Sequence, residues 1–162
     1  MPSHAEVKAA ADRALAPFHL HEWDEGENPY TIQKDLQDVM QRLVGIYRVE
    51  ADLQEATTEL ARLRGRVPAL AVRGGRTFNP GWNLVFEVRN LLVVSEAVTR
   101  SALQRTESRG AHSRLDFPET DQAAWGGRNS VVRRGADGSM EVATTALPPM
   151  AEDLQSLLTT AH

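Results

Sequence analysis

From Thr31 onward the apolar residues Ile32, Leu36, Val39, Met40, Leu43, Val44 and Tyr47 recur at steps of three and four. That spacing lays one apolar stripe along an amphipathic helix, and Asn28 or Thr31 can cap its start. Leu53, Ala56, Leu60 and Leu63 repeat the pattern between charged residues. Gly65 and Pro68 follow, so a second helix is expected over about residues 50–64. Gly45 to Glu50 either kinks or separates the two. A third helix is expected from about Trp82 to Arg105, roughly 36 Å long at 1.5 Å per residue. Asn79 offers its N-cap and Pro80 its first helical position. Its apolar residues Leu84, Val85, Phe86, Val88, Leu91, Leu92, Val93, Val94, Ala97, Val98, Ala102 and Leu103 wrap more than half of the circumference. This helix is therefore expected to be buried on two sides.

Outside these segments the pattern weakens. Ala5 to Ala16, rich in Ala, Leu, Lys and Glu behind Ser3, predicts a short peripheral helix ending at Pro17. The stretch HLHEWDEGENPY reads as an acidic linker, and AVRGGRTFNPGW as a loop broken at Gly74-Gly75. Near the C-terminus, β-branched residues flank Asp137-Gly138, the signal for a β-hairpin with a two-residue turn. Pro148-Pro149 ends it, and Ala151 to Leu158 can form one or two closing helical turns. The expected fold is mainly α: an antiparallel three-helix bundle with a small C-terminal β-hairpin and tail. Its divisions are an N-terminal peripheral helix and linker (1–26), the bundle (27–125), and the hairpin and tail (126–162).

With 162 residues, 41% of them apolar, the chain can bury one ordinary core. A net charge of −4 argues against nucleic acid or an anionic membrane as a partner. The absence of cysteine excludes disulfides, thiolate metal sites and a cysteine nucleophile, and fits a reducing compartment. The first residues lack the basic and apolar regions of a secretory signal, which points to the cytoplasm. Arg89, Asn90, Ser95 and Glu96 interrupt the most apolar run, so direct membrane insertion is not expected.

Candidate chemistry is sparse. The glycine pairs in RGGR and WGGRNS match neither the dinucleotide spacing nor the phosphate loop, and read as turns. His19, His21, Glu22, Asp24 and Glu25 include a His-x-His pair, but no second ligand cluster accompanies it and no metal site is assigned. Ser108, His112 and Asp116 stand four apart and would share a helix face. Gly110 and Pro118 argue against that helix, no nucleophile elbow surrounds the serine, and no catalytic residue is assigned. Arg105, Arg109 and Arg114, with Arg100 upstream, surround Gly110 beside Glu107, His112 and Asp116. Either they form solvated ion pairs at a helix end, such as Glu107 with Arg105 or Arg114, or their guanidiniums dock on a partner's carboxylates or carbonyls.

The stretch from Asn79 to Trp125 resembles the C-terminal helical domain of the succinate dehydrogenase and fumarate reductase flavoprotein subunit. The positions that carry the resemblance are Asn90, Leu91, Leu92, Glu96, Ala102, Leu103, Arg105, Glu107, Ser108, Arg109, Gly110, His112, Asp116, Phe117, Pro118, Asp121 and Trp125. L-aspartate oxidases share the Glu-Ser-Arg-Gly-x-His run. Upstream, Leu36-Gln37, Met40 and Val44-Gly45-Ile46 before Arg48 are similar to the family's first bundle helix. The hairpin and LPPMAEDL are similar to the tail of the actinobacterial type. Thr120-Asp121-Gln122 departs from the Arg-Asp-Asp that many members carry there.

The resemblance implies the C-terminal domain of an FAD-dependent oxidoreductase. In that family the flavin and the dicarboxylate are held by an N-terminal dinucleotide-binding domain and a capping domain, all of which precede the matched region. No cofactor-binding residue is therefore expected in this chain, and it is expected to be inactive alone. It would pack on the FAD and capping domains, in a complex with an iron–sulfur subunit at the inner face of the membrane. Arg105, Glu107, Ser108, Arg109, Gly110, His112, Arg114 and Asp116 would dock near the active site, with Arg109 and His112 in contact and Glu107 orienting them. The alternative is a free-standing helical interaction or assembly module without redox activity.

Overall fold

Ser3 opens helix α1 (His4–Leu15) with a capping box: its side chain accepts from the Glu6 amide while the Glu6 carboxylate accepts from the Ser3 amide. The computed structural model describes residues 1–19, 26–151 and 154. Helix α1 buries none of its residues, but the 3₁₀ turn that follows it, Ala16–Phe18, is anchored. The Pro17 carbonyl accepts from the Val72 amide at 3.1 Å. Phe18 meets Trp82 edge-on at 5.2 Å, and the Trp82 indole donates to the Ala14 carbonyl at 2.8 Å.

Asn28, not Thr31, caps α2 (Pro29–Leu43) by accepting from the Tyr30 amide at 3.0 Å. Ile32, Leu36, Val39 and Leu43 form its buried stripe. The helix ends at Leu43, so residues 44–49 separate it from α3 (Glu50–Arg66), and this connection carries the short strand β1 (Tyr47–Arg48). Helix α3 runs through Gly65 to Arg66, a little beyond the expected end. The Arg66 guanidinium holds that last turn by pairing with both Glu27 oxygens, at 2.7 and 3.0 Å, and with Asp35 at 2.6 Å. Pro68 sits in the next 3₁₀ turn.

These ion pairs also fix helix direction. Arg66 joins the end of α3 to the start of α2, while Arg42 near the end of α2 meets Glu55 near the start of α3 at 3.0 Å, so the two run antiparallel. Helix α4 (Pro80–Gln104) starts beside α2, where Gly81 approaches Tyr30 and Val72, and passes Met40 at Thr99. It therefore runs parallel to α2 and antiparallel to α3. Between them Leu53, Leu60, Leu63, Leu70, Val85, Val88 and Leu92 are 0–2% exposed, each such side chain stabilising the fold by about 1.5–3 kcal/mol. The mainly α, antiparallel three-helix bundle is the observed core.

One expectation about α4 fails. Asn79 and Pro80 start it as expected, the Asn79 side chain accepting from the Trp82 amide at 3.0 Å, but the helix is not buried on two sides. Leu84, Val85, Val88, Leu92, Ser95, Thr99 and Ala102 face α2 and α3, whereas Leu91, Val93, Val94 and Val98 are 40–59% exposed. A bundle of three helices gives α4 neighbours on one side only. Among the described residues the hairpin flanks its C-terminal half, sharing a cleft with Val93, Glu96 and Arg100 and reaching Gln104, which donates to the Val142 carbonyl and accepts from the Ser130 hydroxyl.

Strand β2 (Ser113–Arg114) lies parallel to β1, in the register Tyr47 with Ser113 and Arg48 with Arg114. After the one-turn helix α5 (Gln122–Trp125), strands β3 (Arg128–Arg134) and β4 (Met140–Ala146) form the antiparallel hairpin. Its turn is longer than expected. Gly135 donates to Ser139 at 2.8 Å and Gly138 donates to Gly135 at 3.0 Å, leaving a three-residue loop with Gly138 at φ 83°. A two-residue turn of the expected kind needs Asp137 at positive φ as well, and only the glycine adopts it. The closing helical turns expected over Ala151 to Leu158 lie, apart from Ala151 and Leu154, outside the described residues.

Candidate functional site

Residues 105–121 leave α4 and fold back over the ends of three helices. Helix ends carry unpaired backbone groups and partial charges of opposite sign, so the elbow meets two carbonyl-rich C-termini and one amide-rich N-terminus. Arg114 is buried at 1% exposure. Its Nη1 donates to the carbonyls of Ala102, Leu103 and Arg105 at 3.0–3.3 Å, closing the C-terminus of α4. Its Nε and Nη2 hold the Asp116 carboxylate at 2.7 and 2.8 Å, and its guanidinium lies 4.8 Å from the Phe117 ring centre. Asp116 then accepts from the Glu50 amide at 2.8 Å, capping α3, whose own N-cap residue Val49 has no side chain able to do so. Arg114, with its hydrogen bonds, holds the Asp116 carboxyl down at about 2.

Glu107 is the second buried charge, at 0% exposure. It accepts from Arg109 Nε and Nη2 at 2.8 and 3.0 Å and from the Asp121 amide at 2.9 Å, and pairs with Arg105 at 3.2 Å. The Arg109 hydrogen bonds lead in holding its carboxyl below the usual carboxylate range, against the opposing effect of burial. Arg109 and His112 exchange backbone bonds across a two-residue turn whose first central residue, Gly110, has φ 58°, the turn in which glycine takes that place. The Ser108 hydroxyl accepts from the Arg114 amide at 2.8 Å and donates to the Phe117 carbonyl at 2.9 Å.

His112 is half-buried. Its Nε2 lies 3.2 Å from the Arg105 carbonyl and its Nδ1 2.7 Å from Arg48 Nη1. The carbonyl can only accept and the guanidinium can only donate, so the ring is neutral with its proton on Nε2. Burial pushes its pKa below the ordinary value, the Arg105 carbonyl opposes that shift, and the positive charges of Arg48, Arg114 and Arg105 add to it. Arg48 spends Nε on the Val44 and Gly45 carbonyls, closing the C-terminus of α2. Arg105 lies 5.0 Å from the Trp125 ring centre. Arg48, Arg105 and His112 line one side of an open depression of about 420 Å³, and Ala97, Val98 and Ala102 on α4 line another.

The expected site residues are thus together, in unequal positions. Glu107, Ser108, Arg114 and Asp116 are engaged within the domain, and Gly110 serves the turn. Arg105 and His112 reach the depression, and Arg109 is exposed beside Glu107 while also bonding Gln122 at 3.2 Å. The pairing of Glu107 with Arg114 considered from the sequence does not form, since Arg114 takes Asp116. Ser108, His112 and Asp116 make no triad: each is bonded to a different group, and no bond joins the hydroxyl to the imidazole. His21, Glu22, Asp24 and Glu25 of the linker lie outside the described residues. Among the described residues no cluster of three His, Cys, Asp or Glu side chains could hold a metal. Neither glycine pair stands between a strand and a helix as a flavin phosphate site requires: Gly74-Gly75 lies in the loop before α4, and Gly126-Gly127 joins α5 to β3. These residues do not fit a flavin cradle. Sequence reasoning did not single out Arg48 as a site residue; its only signal was its place in the family pattern.

A family model described as the fumarate reductase flavoprotein C-terminus matches residues 33–155. The chain is similar to the succinate dehydrogenase flavoprotein subunit of Coxiella burnetii, 37% identical over 118 residues, which is 70% of this chain and 20% of that protein. It is similar to the fumarate reductase flavoprotein subunit of Mycobacterium tuberculosis, 35% identical over 118 residues, 72% of this chain and 20% of that one. Its fold superposes on a chain of the Mycobacterium smegmatis Sdh1 complex in the apo form with a TM-score of 0.81 and 44% identity, covering 99% of this chain and 28% of that one. The chain spans about a fifth of the length of these curated relatives. Among the described residues no helix is long and apolar enough to cross a membrane.

Proposed function

Because this chain belongs to the fumarate reductase flavoprotein C-terminal family, we propose that it is the C-terminal domain of an FAD-dependent succinate dehydrogenase or fumarate reductase flavoprotein subunit. It packs on the FAD and capping domains and supports succinate–fumarate oxidoreduction without reacting itself. The flavin supplies the hydride chemistry when bound in those domains. The residues of this chain hold the domains in register, and small displacements of reacting groups cost on the order of 100-fold in rate. In this reading Arg105, Arg109 and His112 face the flavin-carrying part, while Glu107, Ser108, Gly110, Arg114 and Asp116 keep the elbow rigid. The partners are the FAD and capping domains and an iron–sulfur subunit, and the place is the cytoplasmic face of the membrane, reached through other subunits.

The observation that carries this reading is the outer face of α4. Leu91, Val94 and Val98 form an apolar row at steps of three and four residues and stay 40–59% exposed, beside a depression rimmed by Arg48, Arg105 and His112. Such a face is completed by further polypeptide, and the similar Sdh1 chain, of which this chain covers 28%, is more than three times as long. The test compares the complete flavoprotein with a form lacking residues 27–162. Loss of bound flavin and of succinate-dependent dye reduction in the shortened form is expected. Full retention of both overturns the proposal.

A further inference from the structure

We propose that Arg48 and the outer row of α4 form one seat for a carboxylate-bearing segment of the remaining flavoprotein polypeptide. This rests on the reading just given and adds the chemistry of the contact. Among the described residues the charges of the elbow do not balance: Arg48, Arg105, Arg109 and Arg114 share a hydrogen-bonded network with two carboxylates, Glu107 and Asp116. Arg114 is neutralised by Asp116, and Glu107 serves both Arg105 and Arg109. Arg48 is left half-buried with no ion pair among the described residues. Its neighbours are two carbonyls, a neutral imidazole and the positive Arg114.

A half-buried guanidinium without an anion is a costly arrangement, and a planar carboxylate is the ligand whose geometry matches it. Arg48 Nε and Nη1 are engaged, while Nη2 has no protein partner among the described residues. The depression it lines continues onto Ala97 and Val98, so an occupant must pair an acidic side chain with apolar ones. Val94 and Leu91 extend the same row along α4. The occupant is sought in the flavoprotein rather than elsewhere because this chain makes up 28% of the similar Sdh1 chain, which leaves most of the polypeptide to cover the face.

The test is chemical cross-linking of the complete flavoprotein. With Arg48→Lys, a water-soluble carbodiimide joins an amine to a carboxylate in direct contact without a spacer. Peptide mapping is expected to find position 48 linked to an Asp or Glu outside residues 1–162, and no such link with Arg48→Gln. Charge reversal, Arg48→Glu, is expected to speed flavin release on the order of tenfold or more, and to speed it more than the charge-conserving Arg48→Lys does. The exposed Val98→Asp, which leaves the core intact, is expected to speed it too. No link from position 48, a link only to a carboxylate within residues 1–162 of the same or a second copy, or unchanged flavin release in Arg48→Glu and Val98→Asp overturns the seat. If removal of residues 27–162 abolishes flavin binding while those results hold, the supporting role survives and the carboxylate seat alone is wrong.

Discussion

Arg114 and Glu107 show how little of a residue's role its type reveals. Their proximity to other charges was legible in the sequence, which suggested local pairs at a helix end. Their burial was not, because it depends on β2 returning to lie beside β1, a pairing of residues 66 positions apart. The same return makes Asp116 a cap for α3, which no local pattern encodes. Replacing Arg114 with Met strands the Asp116 charge and three carbonyls, and should cost about 3–5 kcal/mol in urea unfolding. Ser108→Ala should cost about 1–3 kcal/mol, since it removes the partner of the Arg114 amide. Acid sensitivity follows from lowered pKa values, with His112 titrating above the carboxylates and Asp116 held lowest among those of the elbow. His112, neutral and depressed, adds stability that is complete above about pH 6.5 and declines below it. Asp116, depressed to about 2, adds stability that is complete above the usual carboxylate range and is lost as pH falls through about 2. Unfolding free energy measured from pH 8 down to 2 should therefore fall in two stages, and His112→Gln should remove the upper one.

At the level of elements, the sequence was most informative where period and cap coincide. Asn79 before Pro80 placed the start of α4, and Asn79→Ala should cost about 1 kcal/mol. The stripe of α2 and that of α3 were equally plain. The pattern misled on the far side of α4, because an apolar row looks the same whether its cover lies within this chain or beyond it. The adjacent residues Leu91 and Leu92 separate the two cases. Leu92 is 1% exposed and Leu91 is 40% exposed, so Leu92→Ala should cost about 2–5 kcal/mol, whereas Leu91→Ala should lie within about 0.5 kcal/mol of the parent chain. In the complete flavoprotein the contrast should narrow, as the cover over Leu91 is added. The hairpin was legible as a hairpin, but its turn was not, since Asp137-Gly138 serves a three-residue loop as well as a two-residue one.

For the whole molecule, a compact bundle whose elbow pairs Arg114 and Glu107 internally but leaves Arg48 without a carboxylate, and whose longest helix keeps one apolar face open, fits the proposed role of a domain within a larger flavoprotein. The two readings drawn from the sequence, a flavoprotein domain and a free-standing interaction module, part ways on what covers that face. The most direct measurement mixes the purified chain with a separately produced flavin-carrying portion and records the visible spectrum of the eluted complex. Co-elution as a yellow complex that oxidises succinate, from a chain colourless and inactive by itself, is the predicted result. A chain that binds flavin or turns over succinate unaided, or that passes the flavin-carrying portion without associating, would contradict it.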